Sequence, residues 1–143
     1  MILSNLTSAL WTGLLGFITT QGLLLFLLFA YYKNGSKSAK WLLAFSSLVC
    51  AILASIEMLA FGIGIDQLPH LIYAQSPFWY LISPLIFLYI RLYAKKQTLS
   101  WRDLIHIIPA VWITHSMMDF YMLPAAHKLS YLSSVKASGE PAT

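Results

Sequence analysis

Residues 86–109 read IFLYIRLYAKKQTLSWRDLIHIIP, and this stretch decides the fold class. Two apolar runs enclose a short segment that holds four basic residues, Arg91, Lys95, Lys96 and Arg102. Charge is scarce elsewhere, since only 10% of the 143 residues are charged, whereas soluble domains carry about 25%. A basic segment between two apolar runs is typical of a cytoplasmic loop that joins two membrane-spanning helices.

The composition of the whole chain indicates an integral membrane protein. Hydrophobic residues make up 59% of the sequence, and the mean hydropathy is +0.71. A soluble fold of this size has too small an interior to bury so much apolar surface. The isoelectric point near 9.3 also suggests nucleic-acid binding, but the basic residues form no basic helix and fit membrane-flanking loops better.

Four apolar runs divide the chain into helices. A helix needs roughly 20 apolar residues to cross the hydrocarbon core of a bilayer. We therefore predict an all-α membrane protein with four transmembrane helices at about residues 8–32, 41–65, 77–94 and 104–123. The fourth is the weakest span. Residues 1–124 form the predicted transmembrane domain, and residues 125–143 form a more polar extracytoplasmic tail.

The basic residues also predict the orientation of these helices. The first loop, residues 33–40, contains three lysines, and the second loop, residues 65–76, contains neither Lys nor Arg. Loops rich in Lys and Arg remain in the cytoplasm. We therefore predict that loops one and three are cytoplasmic, and that the amino terminus, loop two and the tail lie outside. The expected location is the bacterial cytoplasmic (inner) membrane, with membrane lipids around a multi-pass chain.

Three polar side chains in the apolar runs are the predicted ligand-binding residues: Glu57, His115 and Asp119. An acid in hydrocarbon is costly, so an intramembrane acid is a candidate functional group. His115 and Asp119 are four positions apart and would share one face of a helix. From helix rise we expect Glu57 and Asp119 at one depth, bordering one polar pocket with His115. The alternative is that both acids are hydrated near the outer headgroups. Two ligands do not make a metal site, so we predict neither metal nor cofactor.

Small residues recur every four positions in the first two spans: Thr12, Gly16 and Thr20 in the first, and Ser47, Ala51 and Ser55 in the second. Such stripes let helix backbones approach closely, so we expect them to serve packing within the helix bundle, with a ligand groove along the stripe as the alternative. Pro84 and Pro109 fall in the third and fourth spans, and a bend that shapes a cavity is a further interpretation.

Three stretches resemble one family. TTQGLLLFLLFAYYKNGSKSAKWLLAFSSLVCAILASIEML resembles the first two spans of membrane-bound AraC-type transcriptional regulators. SPLIFLYIRLYAKKQTLSWRDLIHIIPAVW resembles their next segment, although Ser83 replaces the usual Gly, and DFYMLPAAHKLSYLSS resembles the stretch that follows. The family places a multi-span, often seven-helix, sensory domain before a cytoplasmic pair of helix-turn-helix motifs. The resemblance implies that this chain is the first part of such a bundle, truncated before the DNA-binding domain.

The predicted function is therefore a membrane-embedded sensory and signal-transducing domain of a transcriptional regulator, without direct nucleic-acid binding by this chain. We expect it to self-associate or to pack against further membrane helices. One alternative is a freestanding four-helix membrane protein that serves as a small partner subunit of a membrane complex, and another is half of a transporter. The sequence has no nucleophile elbow, CxxC or HExxH motif, so we do not expect an enzyme.

Overall fold

The computed structural model describes residues 2–33, 37–95 and 100–138, and every regular element within those ranges is helical. The α-helices are α1 (Ile2–Tyr31), α2 (Lys37–Leu59), α3 (Ser76–Lys95), α4 (Ile108–Ser116), α5 (Met118–Met122) and α6 (Ala125–Ser138). A π-helical turn (Ala60–Gly64) extends α2, and 3₁₀ segments cover Pro69–Leu71 and Trp101–Ile107. Parts of both basic loops, residues 34–36 and 96–99, and the tail residues 139–143 lie outside the described residues.

Three helices in the described part of the chain are long and apolar enough to cross a membrane: Leu6–Tyr31, Lys37–Gly64 and Pro69–Tyr93. They match the first three predicted spans, and α3 begins one residue before the predicted start at residue 77. Lipid is a natural neighbour for their surfaces, because Leu10 and Phe17 on α1 remain 65% and 67% exposed. The prediction is thus confirmed in its coarser form, since three of the predicted segments are helices long and apolar enough to cross a membrane.

The predicted fourth span, residues 104–123, is not one continuous helix. It comprises most of the 3₁₀ segment, then α4, then the single turn of α5. Pro109 has no N–H and lies in the first turn of α4, where a missing donor is tolerated. α4 ends at Ser116, and Met117 separates it from α5. With nine residues α4 is about 13 Å long, less than half the thickness of the hydrocarbon core.

The long helices form an open layer in which α1 packs on α2, α2 on α3, and α3 on α4. Gly22 makes the closest approach between α1 and α2, since a Cβ added there would lie 2.9 Å from the Ala51 Cβ and 3.0 Å from the Ser47 oxygen. The Ser55 hydroxyl lies 3.4 Å from that of Thr19. The small-residue stripe of α2 therefore faces α1, which agrees with the predicted role of such stripes in helix packing.

The predicted tail is largely helical. α6 covers residues 125–138 and packs against the Pro69–Leu71 segment of loop two. Leu132 of α6 is buried there with Ile72 from loop two. Loop two and the tail are therefore in contact, as two segments on the same side of a membrane can be.

Candidate functional site

One apolar groove is bordered by all three span-length helices, and we call it the Glu57 groove. Its volume is about 440 Å³. α2 provides the floor, and α1 and α3 provide walls on either side. The lining residues are Trp11, Leu15 and Ile18 from α1, Cys50, Leu53, Ala54 and Glu57 from α2, Phe61 from the π-helical turn, and Trp79 and Ile82 from α3.

Helical spacing explains why these side chains meet. Positions 11, 15 and 18 of α1 are four and three residues apart, and so lie on one face of the helix. On α2 the positions 50, 53, 54 and 57 recur with the same helical period. Position 61 continues that row by one further turn. Each helix therefore presents one side to the groove, and the sequence defines those sides even though it does not define how the helices pack.

Glu57 is the chemically distinctive member of the groove. Its side chain is half-buried, and it is the single charged residue among the described residues that line the groove. Neither a hydrogen bond nor an ion pair joins its carboxylate to the rest of the chain as far as the structure describes it. A carboxylate in such apolar surroundings loses hydration without gaining a partner. The groove is therefore electrostatically incomplete.

The π-helical turn lies just beyond Glu57. A π turn is rare, and such turns often occur at functional sites. It ends at Gly64, whose φ of +96° is a conformation that glycine adopts without a steric penalty. Within this turn, Gly62 lies against α1, because a Cβ added there would be 3.6 Å from a Thr12 methyl carbon. The turn thus keeps Phe61 in the groove while the chain leaves α2.

His115 and Asp119 are not in the Glu57 groove. Both are exposed, His115 on α4 and Asp119 on α5. His115 instead lines a separate apolar groove of about 390 Å³ with Val111 and Trp112 of α4 and residues of the preceding segment. The one shared pocket predicted for the three residues is therefore divided. The reason is the break at Met117 and the packing of α4 against α3, on the far side of α3 from α1 and α2.

A third groove, of about 380 Å³, lies between α3 and α4. Pro84 and Pro109 both line it, together with His106. The imidazole of His106 also packs on the ring of Phe87, with 4.8 Å between the ring centroids. Both prolines therefore line one cavity, although Pro109 lies in the first turn of α4 and not inside a helix, where the interpreted bend would require it.

Arg91 and Asp103 connect α3 to the segment that precedes α4. The Arg91 guanidinium donates to the Asp103 carboxylate, which is 5% exposed. The other carboxylate oxygen accepts from the Ser100 N–H at 2.7 Å, and the two residues form a capping box. The Ser100 hydrogen bond lowers the pKa of Asp103, and the charge of Arg91 lowers it further. The Ser-x-x-Asp pattern of residues 100–103 is the sequence signal for this cap.

Lys128 is the centre of a second satisfied cluster, which sequence reasoning missed. Only 1% of this residue is exposed. Its ammonium donates to the Tyr121 oxygen at 2.9 Å, lies 3.2 Å from His70 Nδ1, and is 5.5 Å from the centroid of the Phe120 ring. With Tyr73 and Tyr131 these residues form what we call the Lys128 cluster. The sequence has no local signal for this cluster, because His70 and Lys128 are 58 positions apart.

Tyr73 is held in an unusual backbone conformation within this cluster. Its φ is +59°, a left-handed value that is uncommon for a residue with a side chain. Its carbonyl accepts from the Tyr121 hydroxyl at 3.1 Å, and its own hydroxyl lies 3.2 Å from that of Tyr131. These contacts hold loop two against α6, so the cluster works as a structural clamp.

No family model matches this chain, and comparison with curated proteins and with solved structures gave no match. Over the described residues, no group of three or more His, Cys, Asp or Glu side chains has the arrangement to hold a metal ion. Among the grooves lined by the described residues, the Glu57 groove combines three span-length helices with a carboxylate that has no partner in the described chain.

Proposed function

We propose that this chain is a membrane-embedded sensory domain that binds a small ligand in the Glu57 groove. The single observation that carries the proposal is the half-buried carboxylate of Glu57, which has no partner within the described residues. A charged group inside a membrane is expensive and normally pairs with another group or serves a function. The other two buried charged residues of the described chain, Asp103 and Lys128, are both paired or hydrogen-bonded.

The groove suits signal transmission because its walls belong to different helices. A ligand that contacts both α1 and α3 shifts the equilibrium between two arrangements of these helices only if it binds the two arrangements with different affinity. α1 is packed closely on α2 at Gly22, and α3 is packed on α2 through the core of Val49, Leu53 and Leu85. At its far end α3 carries Arg91, which is paired with Asp103. Movement of α3 would therefore reach the Trp101–Ile107 segment.

The resemblance to AraC-type membrane regulators supports the same assignment. In that family the membrane helices precede a cytoplasmic DNA-binding reader, and loop three would be the cytoplasmic end of α3 in the predicted topology. The proposed signal thus runs from the Glu57 groove along α3 to loop three, and from there to helices or a reader beyond this chain.

The proposal is tested on the full chain in lipid nanodiscs. Cys50, the single cysteine, is exposed and lines the groove, so a membrane-permeant maleimide reports whether the groove is occupied. Compounds from a library of membrane-soluble molecules that slow this reaction should also change hydrogen exchange in residues 101–107. Glu57→Gln should weaken both effects, and Asp119→Asn, which neutralises an exposed acid outside the groove, should leave them intact. Protection of Cys50 without any change at 101–107 would contradict a sensory role.

A small partner subunit is the second candidate, and the open layer of helices favours it. Both faces of such a layer are available to other helices, and α1 has the most exposed apolar residues. A partner helix would then cover the groove. Purification of the chain from its native membrane with a stable partner that shields Cys50 from maleimide would support this reading over the sensor.

A further inference from the structure

The ligand class can be inferred from the lining of the Glu57 groove, and this inference rests on the proposed sensory function. We infer that the groove selects free amphiphilic organic cations, which are amines or quaternary ammonium compounds with an apolar body. Three properties of the groove lead to this class: the sign of its charge, its aromatic residues, and its shape along the helices.

The sign of the charge excludes anions and disfavours neutral molecules. Glu57 is the single charged side chain among the described lining residues, and it has no cationic partner in the described chain. Attraction between opposite charges grows as the effective dielectric constant falls below that of water. A ligand ammonium would supply the missing partner of the Glu57 carboxylate, whereas a ligand carboxylate would be repelled.

Aromatic residues strengthen the preference for a cation. Trp11, Phe61 and Trp79 come from three different elements and line the same groove as Glu57. The faces of aromatic rings attract cations, and tryptophan is the most effective of them. Aromatic residues around a carboxylate are a combination that accepts ammonium groups with or without N–H donors. A quaternary ammonium would depend more on the rings, and a primary amine more on the carboxylate.

The shape of the groove requires an apolar body beside the charge. Trp11 and Glu57 are at one end, and Ile18 and Cys50, seven residues away on their own helices, are at the other. Seven residues of helix correspond to about 10 Å. The volume of about 440 Å³ falls within the usual range for small-molecule sites. The ligand therefore places its cation near the end of α2 and an apolar chain along the deeper part of the groove.

A free amine fits this lining better than the amine of a phospholipid does. A zwitterionic headgroup carries a phosphate next to its cation, and that phosphate needs basic or donor groups. The described lining residues include neither Lys nor Arg. When the cation of such a headgroup binds Glu57, its phosphate is brought close to the same carboxylate and is repelled. A monocation without phosphate avoids this conflict.

The test compares four probes with the same alkyl chain: decylamine, decyltrimethylammonium, decanol and decanoate. The full chain is placed in phosphatidylglycerol nanodiscs, and each probe is quantified in the bilayer so that partitioning does not enter the comparison. The rate of Cys50 modification by a permeant maleimide reports occupancy. We expect the two cations to protect Cys50 at a bilayer concentration about tenfold lower than decanol, and decanoate to give no protection.

Variants separate charge from packing in this experiment. Glu57→Gln should erase the advantage of decylamine over decanol, and Asp119→Asn should preserve it. Trp79→Leu should raise the concentration of decyltrimethylammonium that protects Cys50 by about tenfold, and that of decylamine by less. Circular dichroism verifies that each variant is folded. If Glu57→Gln does not fold, Trp79→Leu still tests the inference. Equal protection by decanol and decylamine, or selectivity that persists in both Glu57→Gln and Trp79→Leu, would overturn the inference.

The outcomes also identify other occupants and separate this inference from the proposed function. Protection before any probe is added, in phosphatidylcholine but not in phosphatidylglycerol nanodiscs, would identify a lipid headgroup and overturn the free amine. Protection that depends on protein concentration would identify a second copy of the chain and overturn it as well. Equal protection by all four probes, with a change in hydrogen exchange at residues 101–107, would contradict the inference that the ligand is a cation and would leave the proposed sensory function intact. A total lack of protection by any membrane-soluble molecule would contradict the proposed function itself.

Discussion

The Lys128 cluster and the Glu57 groove each hold a charged group in apolar surroundings, and they differ in whether that group has a partner. The Lys128 ammonium is covered by a backbone carbonyl, an imidazole and an aromatic ring. The Glu57 carboxylate lies in an open groove without a hydrogen bond or ion pair within the described chain. Burial of an unsatisfied charge destabilises a fold, so a group that keeps one is expected to gain a partner from outside.

The comparison separates charged residues that hold elements of the fold together from one that has no such contact within the described chain. Lys128 joins loop two to α6, and the paired Asp103 joins α3 to the segment before α4. Both residues keep elements together that the sequence leaves far apart. Glu57 joins nothing within the described chain. The following predictions test that division in order of decreasing expected effect.

Lys128→Met should have the largest effect on stability. The substitution keeps the apolar stem but leaves the Tyr121 carbonyl and His70 Nδ1 without their donor. We expect a loss of about 1–3 kcal/mol in the free energy of unfolding, because buried polar groups are then unpaired. Unfolding by sodium dodecyl sulfate in mixed micelles, followed by circular dichroism, measures it. The control is Lys33→Met at an exposed lysine. An equal loss in that variant would show that the contacts of Lys128 do not stabilise the fold.

Gly22→Ala should open the α1 wall of the groove. The added methyl would meet the Ala51 Cβ at 2.9 Å and a backbone oxygen at 3.0 Å, so α1 must move. We expect a loss of about 1–3 kcal/mol from overpacking, measured by the same unfolding assay. Gly13 is the matched control, since a methyl there meets nothing within 4 Å. Gly13→Ala should gain up to about 1 kcal/mol from helix propensity, and a similar gain at position 22 would refute close packing there.

Asp103 should give a stability effect that depends on pH. Its pKa is lowered in the folded chain, first by the Ser100 N–H and then by Arg91, so the stabilisation is present above the ordinary Asp value of about 3.9. It is lost as the pH falls through the lower folded pKa, because both states then bind the proton. The stability difference between wild type and Asp103→Asn should thus be constant near pH 5–7 and shrink below about pH 4. A difference that grows below pH 4 would contradict the assignment.

The sequence predicted the parts of this molecule that depend on single helices. Three span-length helices follow from runs of apolar residues, and close helix packing follows from the small residues on α2. Glu57 was predicted as a ligand-binding residue because an acid in an apolar run is unusual, and that role stays a prediction. The break of the fourth span at Met117 was not predicted, since no proline or glycine marks that position and tertiary packing decides it.

The groups that partner one another were harder to predict. Lys128 and His70 are 58 positions apart, and only the packing of α6 on loop two brings them together. His115 and Asp119 were combined with Glu57 because their depths agreed, but depth does not define which face of a neighbouring helix a residue meets. Helix periodicity gives the faces of each helix. The choice of neighbour comes from packing, which a single sequence does not contain.

The most direct test of the central comparison is the free energy of unfolding of Glu57→Gln beside Asp119→Asn and Lys128→Met. The substitution at Glu57 removes a charge without removing a partner, and a neutral amide costs less to bury than a carboxylate. We predict that, without ligand, the free energy of unfolding of Glu57→Gln is higher than that of the wild type or lies within about 0.5 kcal/mol of it, the range of substitutions that break no contact. A loss as large as that of Lys128→Met would show that Glu57 belongs to the architecture, and would contradict its role as a ligand-binding charge.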